Sequence, residues 1–179
     1  MAQTIEQPRT DGANETSPVR IRKLGHVVFR VGNVERSTKF YTEILNFRVS
    51  DINENGMVFM NTCGDHHTIA IALASAGEAA AQPTRDQLGL SHFAMEVGSI
   101  DELFEIRAFL NRKGIETREG RKGPGCNIEV SFDDPDGYHV ELYTNMDQVG
   151  PDNRTRPPEQ FNRTNSLEEA RDNPIPPTW

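Results

Sequence analysis

Asp133-Asp134-Pro135-Asp136-Gly137-Tyr138-His139-Val140-Glu141-Leu142-Tyr143 reads as a tight turn feeding a short strand. Pro135 brings a fixed φ, Asp136-Gly137 is a pair that tolerates positive φ, and Tyr138 to Tyr143 alternates in polarity. Val140 and Leu142 fall on one face of that strand, and His139, Glu141 and Tyr143 fall on the other. A carboxylate in mid-strand is costly unless something cationic meets it. Two histidines are placed to share such a cation: His26 and His92, each third in a Leu-x-His opening of a β-like run.

The chain of 179 residues suffices for one domain of ordinary size, or for two small modules sharing a core. Its net charge of −8 and pI near 5.1 argue against nucleic acid as a partner, because phosphate binding needs a basic face. No apolar run approaches the ~20 residues of a membrane span. The opening MAQTIEQPRTDGANETSPVR has no hydrophobic segment of the secretory kind. Cys63 and Cys126 are too few for a disulfide framework, so the expectation is a reduced, cytoplasmic protein in which the sequons at Asn14, Asn153 and Asn162 are accidents of composition.

Residues 1–20 are polar and read as a mobile arm. Lys23 to Val31 reads as a strand, and Asn33 can cap a helix over Val34 to Leu45 with Val34, Phe40, Tyr41, Ile44 and Leu45 on its apolar face. Phe47 to Ile52, Met57 to Thr62 and His67 to Leu73 read as further strands, giving β-α-β-β-β. The pattern then returns. Leu24, His26, Val31 and Gly32 recur at a constant offset as Leu90, His92, Val97 and Gly98, and Phe40 and Ile44 map onto Ile106 and Leu110. Ser99 or Asp101 starts the second helix, Gly114 ends it, and strands follow near Ile115 to Arg118, Asn127 to Phe132 and Tyr138 to Thr144. The sequence therefore predicts an α+β domain over 21–145, with module one at 22–75, a linker at 76–88 and module two at 89–145. The tail, 146–179, holds a capping-box match at Ser166-Leu167-Glu168-Glu169 and so one short helix. Its remainder is expected to run extended along a surface or a partner subunit, or to be disordered.

Two βαβββ modules each leave a sheet edge and an apolar face uncovered, and joining them edge to edge gives one half-open barrel. Equivalent positions then face each other, so His26 and His92 converge, with Glu141 on the strand beside His92. Two imidazoles and a carboxylate are an open donor set for Fe(II), and the same donors accept Mn(II) or Zn(II). Taken singly, each histidine could instead be a core residue satisfied by backbone groups. Recurrence at an equivalent place favours the metal.

LGHVVFRV, VERSTKFYTEILNF, LSHFAMEV and DPDGYHVELY, in this order across Arg22 to Thr144, resemble the vicinal oxygen chelate superfamily. The resemblance implies paired βαβββ modules around a metal held by His26, His92 and Glu141. Glyoxalase I and its relatives add a fourth ligand from the last strand of the first module, but HHTIAIALA offers no Glu or Gln there. Asn61 to Ala70 is similar to the matching stretch of type I extradiol dioxygenases, which implies His67 as the acid/base beside bound oxygen, a role that suits an imidazole. Two departures stand against this branch: Ser131 occupies the place of a usual tyrosine and Lys122 the place of a second histidine. His66, His139 and Tyr143 are candidates to contact the substrate or to support the ligands.

The expectation is an extradiol-type Fe(II) dioxygenase acting with O₂ on a small molecule that chelates through vicinal oxygens, with a catechol-like diol as first guess. The alternatives are a fosfomycin-type thiol transferase with Mn(II), a glyoxalase-like lyase or isomerase, and a metal-free binding or resistance protein. A homodimer is expected, within which the partner's His26 could complete the site of His92 and Glu141. Arg118 to Lys122 (REGRK) reads as a solvated hairpin tip, Gly123-Pro124-Gly125 as a turn, and Cys126 as having no nucleophilic role.

Overall fold

The computed structural model describes residues 18–62, 64–81, 88–149, 154–176 and 178. Most of the expected arm, the linker stretch 82–87 and Cys63 lie outside the described residues. Module one runs β1 (Val27–Val31), α1 (Val34–Glu43), β2 (Arg48–Ile52), β3 (Val58–Asn61) and β4 (Ile69–Leu73). Module two runs β5 (Phe93–Glu96), α2 (Ile100–Arg112), β6 (Arg118–Arg121), β7 (Ile128–Asp133) and β8 (His139–Thr144), and α3 (Leu167–Asp172) follows in the tail. The duplication read from the sequence is thus present in space. The sheets have the matching orders β1-β4-β3-β2 and β5-β8-β7-β6, each with one parallel pair at its first strand.

Both helices start on the predicted residues. Asn33 Oδ1 accepts from Arg36 N at 3.0 Å, and Ser99 Oγ accepts from Glu102 N at 3.2 Å. Glu102 reaches back to accept from Gly98 N at 2.8 Å. Helix α1 stops at Glu43, short of Leu45, and Asn46 then turns the chain with φ 56°.

Among the described residues no ladder joins the two sheets. They pack instead through their inward faces. Phe40, Leu45, Phe93 and Met95 touch both apolar clusters, and the Phe29 and Phe93 rings stack at 5.6 Å. The turn of module two docks onto module one: Asp136 accepts from Gly32 N (2.7 Å), Arg36 Nη2 (2.6 Å) and Ser37 Oγ (2.5 Å), and Asp134 accepts from the Tyr41 hydroxyl (2.7 Å). On β1 and β5 the opposite faces, with Val28, Arg30, Ala94 and Glu96, are left exposed.

The tail is a packed element of module two. Helix α3 forms with Ser166 as its cap, as predicted, and buries Leu167 and Ala170 in the module-two core. REGRK is not a solvated tip: Arg118 to Arg121 form β6, and charge-rich strands of this kind escape a reading based on apolar alternation. Glu119 meets Arg107, which also holds Glu168 of α3, while Arg121 is buried under the tail. Gly120, at φ 122°, lies so close to the tail that a Cβ would sit 2.2 Å from the Thr164 carbonyl oxygen. Gly120→Ala is therefore expected to cost about 2–4 kcal/mol, seen as a lower Tm and as protease cleavage of the tail. Wild-type resistance in this variant would mean that the tail does not rest on β6.

Candidate functional site

The candidate donors sit at strand openings and on one strand face. His26 and His92 immediately precede β1 and β5, where the ladders begin at Val27↔Ile69 and Phe93↔Val140. Both are exposed, so neither is a core histidine satisfied by backbone groups. Alternation along β8 buries Val140 and Leu142 and half-buries His139, Glu141 and Tyr143, as read from the sequence.

Glu141 stands between two imidazoles. Its Oε2 is 3.7 Å from His92 Nε2 and its Oε1 is 3.6 Å from His139 Nε2. These gaps exceed a hydrogen bond. They match the separation of two donors that each bind one small divalent ion at about 2.1 Å. His139 Nδ1 is anchored on its far side, 2.8 Å from Arg118 Nη2 and 3.0 Å from Asp133 Oδ1. A histidine held through one nitrogen presents the other in a fixed direction.

His26 belongs to a different cluster. Its ring lies 4.4 Å from that of His67, which packs edge-on against Phe59 at 5.1 Å. His66 Nδ1 is 3.1 Å from His67 Nδ1. Burial pushes the His67 pKa down, with the neighbouring charges of His26 and His66 adding to it, so His67 is favoured in its proton-accepting form. The chain therefore brings His92, Glu141 and His139 together on module two, and His26, His66 and His67 together on module one. Among the described residues no three His, Cys, Asp or Glu side chains of one chain form a metal-holding group. Convergence of His26 with His92 and Glu141 inside one chain, expected from edge-to-edge pairing, is not made, because the modules meet through their apolar faces instead.

The register identifies the position of the absent fourth donor. Glu141 pairs with Ala94, two residues after His92, and in module one the corresponding pair is Val28 with Ala70, two residues after His26. Ala70 is fully buried and offers no donor.

Sequence reading passed over a second acid on the same sheet face. Glu129 is buried on β7, accepts from Asn127 Nδ2 at 2.8 Å and lies 4.0 Å from Lys122 Nζ. Asn127, Glu129, Ser131 and Asp133 alternate with apolar residues just as β8 does, and that signal would have found it. Burial raises the Glu129 pKa, and the charge of Glu141 raises it further. A carboxyl whose folded pKa is raised contributes its stability below the ordinary Glu range, and loses it as pH climbs through the folded value. In metal-free protein the Tm advantage of Glu129→Gln over wild type is thus expected to grow as pH rises above the ordinary Glu range. A constant difference would refute the burial argument.

Nearby groups have quieter roles. Burial, aided by Glu96, raises the Tyr143 pKa and keeps the phenol neutral. Cys126 is a free, buried thiol that donates to the Phe161 carbonyl at 3.3 Å, and burial pushes its pKa up, which fits the absence of a nucleophilic role. Among the described residues no helix is long and apolar enough to cross a membrane.

Known proteins are similar to this chain in sequence and in fold. Biphenyl-2,3-diol 1,2-dioxygenase 3 of Rhodococcus globerulus is 30% identical over 121 residues, which cover 67% of this chain and 62% of that protein. The chain thus spans about three fifths of the dioxygenase it matches. A probable lactoylglutathione lyase of Vibrio parahaemolyticus is 29% identical over 130 residues, covering 69% of this chain and 91% of the lyase. The crystal structure of a glyoxalase family protein from Enterococcus faecalis superposes with a TM-score of 0.54 at 30% identity, over 69% of this chain and 98% of that one. Residues 23–142 match the family model itself, and with its paired βαβββ modules the chain belongs to the glyoxalase/bleomycin resistance protein/dioxygenase superfamily.

Proposed function

We propose that this chain is a metal-dependent dioxygenase of the extradiol type, working as a homodimer whose sites are shared between copies. His92 and Glu141 of one copy and the partner's His26 hold Fe(II), and Mn(II) or Zn(II) fit the same donors. The observation that carries this reading is the open pair of His92 and Glu141, spaced for an ion, beside a module whose own equivalent carboxylate position is Ala70. A two-histidine, one-carboxylate set leaves positions for a chelating substrate and O₂. Exposed Leu24, Val28 and Leu73 around the β1 edge support a second copy as the cover for that face.

Fe(II), when bound, supplies the orientation of two vicinal substrate oxygens and offsets charge that develops on them. His67 arrives with His26, and in its neutral form it takes a proton from a substrate hydroxyl and returns it later. His139 stands beside Glu141 and faces it with Nε2, His66 orients His67, and Tyr143 bounds the substrate space along β8. The similarity to a biphenyl-2,3-diol dioxygenase makes an aromatic diol the first substrate to try.

Protein purified without oxygen and loaded with Fe(II) is expected to retain about one metal per chain and to consume O₂ on 2,3-dihydroxybiphenyl or catechol. A second reading, a glyoxalase-like lyase, draws on the lyase match over 91% of that relative's length. Metal-loaded protein that leaves diols untouched but isomerises a hemithioacetal would replace the first reading with the second.

A further inference from the structure

A cavity of about 410 Å³ lies between module two and the C-terminal tail. Arg121, Cys126, Ile128, Met146, Ala170 and Ile175 are among the residues that form its wall. It is on the other face of the sheet from Glu141. Glu141 lies opposite Ser131 and Arg118 in the ladder, whereas Arg121 lies opposite Ile128, on the face that carries the helices. The family match ends at residue 142, before the Asn145–Gln148 segment and the tail that close this cavity. None of the candidate metal donors lines it.

Arg121 is the feature that gives the cavity a chemistry. Its side chain is 1% exposed, yet its partners are neutral: Nη1 donates to the Asn162 carbonyl at 3.1 Å and Nη2 to the Ala170 carbonyl at 2.7 Å. Its Nε is buried with no hydrogen-bond partner. Arg36, Arg107 and Arg156 each meet a carboxylate. The carboxylate on this wall, Asp147, is already engaged by Arg156 through two bonds of 2.8 and 3.0 Å. Arg171 adds a second cation at the wall. A buried guanidinium whose hydrogen bonds go only to neutral carbonyls is a costly arrangement: Glu169 acts on it through space alone, and burial pulls its pKa down. The wall itself carries two guanidiniums, Arg121 and Arg171, and one carboxylate, Asp147, against a largely apolar lining, and Arg171 also faces Asp172 at 3.7 Å.

We propose that this cavity is a second ligand site, separate from the metal donors, which takes a small organic carboxylate with an apolar body. The carboxylate answers the charge of Arg121, and the body packs on Ile128, Met146 and Ile175. The volume is within the range of small-molecule pockets, roughly 300–1,000 Å³. Guanidinium is the side chain best shaped to receive a carboxylate.

Hexanoate titrated into the full chain, followed by calorimetry, tests this. It is expected to bind at least about tenfold tighter than 1-hexanol, which lacks the charge, or inorganic phosphate, which lacks the apolar body. Arg121→Met should weaken hexanoate at least about tenfold. Because that change also removes two bonds to the tail, Ile175→Trp serves as the second variant: it fills the cavity, leaves Arg121 in place and should abolish binding. Glu141→Gln should bind hexanoate as wild type does. Silence with hexanoate, equal binding of hexanol or phosphate, or full binding in Ile175→Trp would each overturn the proposal.

Discussion

His26→Ala and Glu141→Ala chains, each inactive alone, are expected to regain about a quarter of wild-type activity when refolded together in equal amounts. The number follows from symmetry. Random pairing makes about half the dimers mixed, and in a mixed dimer one site carries both lesions while the other carries neither. The expectation depends on the separation seen here. His26 lies with His67 on module one, and Glu141 lies with His92 on module two, with no three-donor group inside one chain among the described residues. The single variants should lose at least about 100-fold in activity, since even groups that only support a metal ligand cost about 10–100-fold when removed. Metal content should fall with activity in Glu141→Ala. If the single variants are dead and the mixture stays dead, the site is not shared between chains. If Glu141→Ala keeps its metal, Glu141 is not a ligand.

The second large effect concerns the contact between modules. Asp136→Ala is expected to destabilise the fold by about 3–5 kcal/mol, or lower Tm by about 8–15 °C in a chain of this size. Asp136 receives three donors from module one, and two of them, Gly32 N and Ser37 Oγ, belong to buried residues. Removing the carboxylate strands both away from water, which costs more than the net worth of either bond. Tyr41→Phe should cost less, about 1–2 kcal/mol, because Asp134 keeps the backbone amides of Asp136 and Tyr138. The two lesions share one turn, so their double variant should fall short of the sum. A loss under about 1 kcal/mol for Asp136→Ala, measured by urea unfolding, would show that apolar packing alone holds the modules.

Much of the architecture was legible because it rests on period and repetition. The alternation around Glu141, the caps at Asn33 and Ser99 and the paired Leu-x-His openings are local signals, and each appears where it was read. What was not legible depends on the third dimension. The acidic turn reads as turn chemistry, and Asp134 Oδ1 does hold the turn's own amides, yet Asp134 Oδ2 and both oxygens of Asp136 accept from module one, about 100 residues earlier in the chain. Arg121 reads as a surface charge, and only the arrival of the tail buries it. The meeting of His26 with His92 was inferred from pseudo-symmetry, but the symmetry of two folded modules does not determine which of their faces pack together. Register, by contrast, supplied a conclusion that composition could not: Ala70 is the counterpart of Glu141.

The two hairpins that precede β4 and β8 serve different ends. One presents imidazoles, His66 and His67; the other grips a neighbouring helix through Asp134 and Asp136. With the tasks divided, the halves are not interchangeable, and a tandem of two first modules would lack its clasp. Grafting Asp134 to Gly137 into such a tandem is therefore the smallest change that could restore its closure.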